Sequence, residues 1–337
     1  MSRASIKRGL LAVLALVLLI VGGVAGYFIV DPSPSAYLIR KVFEGGLAVK
    51  PHGYELIESE VDAYTDLTYE STAGRNTFDL FGPKNSQKLP TIIWVHGGAF
   101  VGGDKHDNYE YAVQLAHQGY RVINLNYDLA PEAVYPSPVH QVGEAITYLQ
   151  THADLFGLDI NNIILAGDSA GAHIISQFMM VQVDPAYAQK LNQNVTLNPS
   201  SIKGMALFCG PYDLNGLLNM QSSSGILDFF VSRLAWAYMG EKAWMDTDYV
   251  ESLSILNHVT SDFPPTFITD GNQMSFMEDG LKMQAKLESL DVPVTSVFYE
   301  GVADVLGHEY QFKMDNPYSV HTFEEFVGFL NNYTKKV

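Results

Sequence analysis

The pentapeptide "GDSAG" (Gly167–Gly171) has the form G-x-S-x-G. It follows the apolar run "NIILA" and opens a helical pattern, the strand–turn–helix setting in which a serine sits on a tight turn with its hydroxyl exposed. By composition alone such a pentapeptide arises in roughly one chain of this size in ten, so it is the setting of Ser169 that carries the signal. Glycines flank it because a turn packed against a sheet leaves no room for Cβ atoms. A second stretch, "HGGAF" (His96–Phe100), directly follows the apolar run "TIIWV". Its glycines let backbone N–H groups point into a cleft, and acyl transfer needs such donors where the tetrahedral oxygen becomes negative. Gly97, Gly98 and the N–H of Ala170 are the candidate oxyanion donors. His96 suits a hydrogen bond that holds the turn better than the role of a base. As a dinucleotide phosphate loop the stretch fails, because the glycine spacing is absent.

These residues need elements that bring them to one edge. From residue 61 onward strand and helix signals alternate. "DAYTDLTYES" and "NTFDLFGP" read as paired opening strands with Gly74 in the turn. "TIIWVHGG" (91–98) and "YRVINLNYD" (120–128) are rich in β-branched and aromatic residues, as strands covered on both faces are. Helices are expected over 107–118, 138–152 and 170–182, with strands at "NIILAGDS" and "IKGMALFCG". Residues 213–262, long, aromatic and helical, break the rhythm and read as an insertion. The alternation resumes with the strand "PTFITDG", a helix over 277–289, the strand "VTSVFYE" and a last helix near 319–333. This pattern predicts an α/β fold with a mostly parallel sheet covered by helices on both faces. Ser169 then stands at the carboxyl end of a central strand.

"HGGAF", "YDLAPEAVYPSPVHQVGEAITYL" (127–149), "GDSAG" and "LGHEYQF" (306–312), in that order, resemble the hormone-sensitive-lipase-like branch of the α/β-hydrolases. The likeness spans about residues 61–337. It implies a serine esterase with an eight-stranded sheet, a helical cap over the acyl pocket, Ser169 as nucleophile and oxyanion donors in the HGG loop. A short to medium acyl ester is the substrate it implies. The fold also sets the chain order nucleophile, acid, histidine. Four histidines follow Ser169. His173 lies one turn along the nucleophile's own helix and suits core packing. His258 falls in the insertion, and His321 at the start of the last helix. His308 follows a strand on a loop at the carboxyl end of the sheet, where a base could come within about 3 Å of Ser169. "LGHEYQF" also matches the family's histidine segment.

The acid is the irregular member. In the family the loop after "PTFIT" ends in an Asp-Pro-Leu-like tripeptide, and the Asp position falls here on Met274, or on Gln273 if the loop is one residue shorter. Asp270, at the strand end, is the first substitute, and its alternative is a turn carboxylate in "DGN". Asp213, Glu278, Asp279 and Asp304 are further candidates, as is no acid at all, with Asn272 or a water holding His308. Asp168 should point away from its neighbour Ser169. Loss of the acid from such a triad costs about 10⁴-fold in kcat yet leaves about 10³–10⁴ over water.

The remaining features bound the class. Of 337 residues, 47% are hydrophobic, and the net charge is −17. Past the first 30 residues stand 17 basic against 37 acidic residues, which argues against a nucleic-acid partner. Cys209 is the lone cysteine, so an intrachain disulfide and a cysteine zinc site are excluded, and "MALFCG" suggests a buried strand position. No metal or organic cofactor is implied. Leu10–Val30 is a run of 21 uncharged residues preceded by Arg3, Lys7 and Arg8. It reads as a membrane anchor with the rest of the chain outside the cytoplasm, or as a signal segment whose cleavage at "GVAG" would release a secreted protein. Residues 31–60 are expected to hold the linker "DPSPS" and N-terminal cap helices, and 61–337 the hydrolase domain with a cap insertion at about 213–262. The chain thus reads as an anchored esterase, with two alternatives: a binding or sensor protein on a decayed hydrolase, or an acyltransferase or peptidase using the same serine.

Overall fold

A computed structural model describes residues 3–46, 48–85, 87–219 and 224–334. The strands are β1 (Val61–Thr68), β2 (Thr77–Pro83), β3 (Leu89–Val95), β4 (Arg121–Leu125), β5 (Leu158–Asp168), β6 (Ile202–Phe208), β7 (Thr266–Asp270) and β8 (Val294–Phe298). They form an eight-stranded sheet in the order β1-β2-β4-β3-β5-β6-β7-β8. β2 runs antiparallel to both β1 and β4, and every later pairing is parallel. The mostly parallel α/β sheet expected from the alternation is therefore present, with β5 at its centre.

The helices are α1 (Arg3–Val30), α2 (Ser33–Val42), α3 (Tyr54–Ser59), α4 (Tyr109–His117), α5 (Ser137–Thr151), α6 (Ala153–Phe156), α7 (Ala170–Val183), α8 (Pro185–Lys190), α9 (Leu214–Asn219), α10 (Gly225–Met239), α11 (Met277–Glu288) and α12 (Pro317–Tyr333). Alternation of side chains along each strand divides the core into two layers. Ile93, Val95, Leu165 and Leu207 pack with α5, α7 and α11. Ile92, Trp94, Ala166 and Phe208 pack with α4 and α12 on the opposite face. A continuous apolar run is needed for strands covered on both faces, and β3, β5 and β6 supply it.

Two local departures stand out. "DPSPS" does not stay a linker, because α2 begins at Ser33 and carries Pro34 in its first turn, where a missing N–H costs no helical hydrogen bond. Cys209 lies one residue beyond the end of β6 rather than within it, and it is buried. The insertion holds α9 and α10 followed by three single turns of 3₁₀ helix (Trp244–Asp246, Val250–Leu253 and Ile255–Asn257). At the first sheet edge Lys105 is buried, with its ammonium 2.7 Å from Asp79 and 2.8 Å from Asp66. α1 is 28 residues long, about 42 Å at 1.5 Å per residue. Its segment Val13–Val30 is apolar, and none of its residues is buried.

Candidate active site

The turn between β5 and α7 holds Ser169 at φ 50° and ψ −118°, outside the relaxed regions for a side chain with Cβ. The neighbours over-determine this conformation. The Ser169 N–H donates to Phe208 O at 2.8 Å, tying the turn to β6. A Cβ on Gly171 would collide with the carbonyl oxygens of Val95 and His96, so only glycine lets α7 start this close to β3.

His308 comes from the loop after β8. Its Nε2 lies 2.9 Å from Ser169 Oγ, the distance of a hydrogen bond from hydroxyl to ring nitrogen. Asp270 closes β7 and is 1% exposed. Its Oδ1 stands 3.6 Å from His308 Nδ1, an ion-pair separation at which no hydrogen bond is made, and among the described residues Nδ1 has no hydrogen-bond partner. Two backbone amides hold the carboxylate: Gly271 N–H donates to Oδ1 and Phe276 N–H to Oδ2, each at 2.7 Å. The loop 271–276 thus wraps around Asp270. Met274 rides on the outside of that wrap at φ 48° and 91% exposure, and the Phe276 ring meets His308 edge-on at 5.2 Å.

Asn272 does not reach the imidazole. It stitches the two loops instead: its N–H donates to Leu306 O, its side-chain oxygen accepts from Leu306 N–H at 3.0 Å, and its amide nitrogen donates to Asp304 O. Gly271 permits this approach, since a Cβ there would collide with the carbonyl oxygens of Leu306 and Gly307. The other acids are engaged elsewhere. Asp213 accepts from Ser254 Oγ and from Gly216 N–H at the start of α9. Asp279 accepts from Asp213 N–H, Glu278 is exposed at the start of α11, and Asp304 accepts from the Tyr318 hydroxyl.

In the HGG loop one expectation is corrected. The Gly97 N–H donates to Asp168 Oδ2 at 2.7 Å and is not available to a substrate oxygen. Asp168 does turn away from Ser169, into the protein, where its Oδ1 accepts from Trp94 Nε1 at 2.6 Å. Ala99 and Ala170, not Gly97, line the cavity beside Ser169, and Gly98 immediately precedes Ala99. Ala170 is the first residue of α7, so its N–H has no acceptor within the helix. His96 Nδ1 lies 2.6 Å from Gly97 O and its ring stacks on Tyr127, which is the turn-holding role expected of it. Burial drops its pKa to about 4, so the ring is neutral and Nδ1–H is the donor. His173 is held by Pro211 O in the core and is likewise lowered to about 4 by burial. His258 hydrogen-bonds to Glu251 O, and His321 is exposed near the Tyr299 ring.

Sequence reasoning missed Glu309, whose only signal was adjacency to His308. It sits at φ 60°, with Oε1 3.8 Å from His308 Nε2, and its carboxylate lies with that of Asp168 against Gly97, where a Cβ would meet both. Burial, then mutual repulsion, raises Asp168 well above the usual carboxylate range, and burial raises Glu309. For His308, burial alone would lower the pKa, but Asp270, Glu309 and Asp168 together outweigh it and leave the imidazole above its ordinary value.

Among the described residues Cys209, Asp270 and His308 form a grouping of potential metal ligands, with donor atoms within 4.8 Å of one another. Cys209 Sγ instead accepts from Gln311 Nε2, and burial pushes its thiol well up, away from the thiolate a metal requires. The cavity in front of Ser169 measures about 660 Å³ and is mostly apolar, with Phe100, Val231, Tyr238 and Phe276 in its walls.

Comparison with known proteins places this geometry in a family. The BD-FAE family model matches residues 78–279, more than half of the chain. A kynurenine formamidase of Drosophila melanogaster is 26% identical over 207 residues, 59% of this chain and 65% of its own length, so the chain spans just under two thirds of that relative. An acetyl esterase of Salmonella typhi is 26% identical over 241 residues, 70% of each chain. The crystal structure of esterase B from Lactobacillus rhamnosis superposes with a TM-score of 0.72 at 22% identity, covering 96% of this chain and 95% of that one. With its sheet order, its serine turn and more than half of its length matched, this chain belongs to the BD-FAE family and is an α/β-hydrolase of the hormone-sensitive-lipase-like esterase type.

Proposed function

We propose that this chain is a serine carboxylester hydrolase acting on short to medium acyl esters. One observation carries the reading: the 2.9 Å contact between Ser169 Oγ and His308 Nε2 at the floor of an apolar cavity. Ser169 Oγ attacks the ester carbonyl as His308 Nε2 takes its proton. The tetrahedral oxygen is held by the N–H groups of Ala170, Gly98 and Ala99. Its collapse expels the alcohol, which His308 protonates. Water, deprotonated by the same nitrogen, then attacks the acyl-enzyme, and collapse releases the acid as His308 returns the proton to Ser169 Oγ. Asp270 and Glu309 favour the imidazolium that forms in each half-reaction. Every proton is carried by the chain's own residues.

The same reading makes α1 a membrane anchor. Arg3, Lys7 and Arg8 before the apolar span keep the N-terminus in the cytoplasm and put the catalytic domain on the opposite side. Cleavage after the span would give a secreted form of the same enzyme.

The test is hydrolysis of p-nitrophenyl butyrate by the detergent-solubilised chain with Ser169→Ala beside it. Turnover in the parent with none above background in the variant is expected. Equal rates in the two would remove the hydrolase reading.

A further inference from the structure

The way α1 enters the domain carries information about the substrate. Only Asp31 and Pro32 separate α1 from α2, so Val30 and Ser33 are at most about 11 Å apart. The hydrogen-bond ladder nearly continues across the junction, from Asp31 N–H to Tyr27 O and from Ala36 N–H to Pro32 O. α2 therefore lies where the spanning helix leaves the lipid.

α2 is also part of the active-site architecture. Its inner face is clasped to the segment following the HGG loop: Arg40 Nε donates to Val101 O at 2.6 Å, and its Nη2 donates to Ala130 O at 3.0 Å and to Glu132. α2 packs against α10, which supplies Leu227 and Val231 to the wall of the cavity. The outer face of α2 presents Tyr37, Leu38 and Val42, all exposed, with the Lys41 ammonium 5.4 Å from the Tyr37 ring centre. An apolar helix face bearing an aromatic ring and a lysine that can snorkel is the composition of a helix lying in a lipid headgroup layer. The first turn of α10 adds Ile226, 74% exposed, and Leu227 at the rim of the cavity, with Met274 on the rim as well.

From this juxtaposition we infer that the α2–α10 face rests on the lipid bilayer, and that the substrate is a membrane-dissolved ester entering the Ser169 cavity from the lipid side. The inference rests on the ester-hydrolase reading and on α1 as a span, and it names the substrate class. An apolar rim in water would be covered by a partner. Here the bilayer that holds α1 is at most two residues of chain away from α2.

The experiment reconstitutes the full chain in phosphatidylcholine vesicles and offers two substrates: water-soluble p-nitrophenyl acetate and didecanoylglycerol dissolved in the same bilayer. Leu38→Glu and Ile226→Glu, singly and together, place charges on the docking face without touching the cavity wall. The expected result is at least a tenfold fall in didecanoylglycerol hydrolysis for the double variant, with p-nitrophenyl acetate turnover within twofold of the parent. Unchanged rates on both esters, or equal losses on both, overturn the inference. So does a shift from dimer to monomer in the variants with bilayer hydrolysis intact, which would make the face a contact between two copies. A parent that hydrolyses only the soluble ester overturns this inference alone; a parent that hydrolyses neither overturns the hydrolase reading as well.

Discussion

Asp270 at the end of β7 and His308 on the loop after β8 face each other across 3.6 Å, and Asn272 ties the two loops together by hydrogen bonds to Leu306. The pair is set by the stitch between the loops and by the two amides that fix the carboxylate, since no hydrogen bond joins carboxylate to imidazole in the resting geometry. Catalytic contacts of this kind often shorten only when substrate is bound.

If Asp270 is the acid, Asp270→Asn keeps the side chain's shape but removes its charge and, in one of its orientations, an acceptor. A fall in kcat of about 10³–10⁴-fold on p-nitrophenyl butyrate is expected, with KM little changed. Asp213→Asn and Glu278→Gln should leave kcat within about threefold, because those carboxylates are spent at helix starts. Steady-state kinetics on the three variants checks the assignment.

Gly271→Ala tests the close approach of the two loops. Its Cβ would meet the carbonyls of Leu306 and Gly307 and push the His308 loop away from Ser169. A displacement of about 1 Å at a reacting group is worth about 10²-fold in rate, so kcat should fall by that order. The measurement pairs kcat with burst labelling of Ser169 by an organophosphonate, which should slow in parallel.

The pH profile follows from the carboxylates around His308. The base acts when neutral, so a pKa above the ordinary histidine value moves the acid limb of kcat/KM above about pH 6.5. Glu309→Gln removes one negative neighbour, lowers the imidazole pKa and shifts that limb to lower pH. Asp270→Asn shifts it the same way, together with the loss of kcat. A limb that stays in place in Glu309→Gln would show that Glu309 does not act on His308 electrostatically.

Lys105 is buried between Asp79 and Asp66 at the sheet edge. Lys105→Met leaves Asp79 buried with its cation gone, which costs about 3–5 kcal/mol. Thermal unfolding of the detergent-solubilised chain should show the loss, while kcat of the folded fraction stays near that of the parent.

The local signals were legible from residue order. Alternating apolar runs and helical patterns are short-range properties, and they predict the sheet and its helices because the period of burial is written in neighbouring residues. The turn around Ser169 is legible for the same reason, since glycine, serine and the flanking strand lie within a dozen positions. The start of α2 was harder, because proline reads as a breaker until its place in a first turn is known.

The chain order thus determined the fold class, the serine on its turn, the histidine that follows the last strand and the apolar run at the N-terminus. Tertiary structure decided which acid stands beside that histidine, which amide the Asp168 carboxylate occupies, and that Glu309 meets Asp168 at Gly97 of the HGG loop. Those relationships join residues 38 to 141 positions apart, and they depend on how closely two backbones approach. A Cβ missing at Gly271 or an amide turned inward at Gly97 changes that approach by an ångström or two, a scale on which residue type gives direction and only packing gives distance.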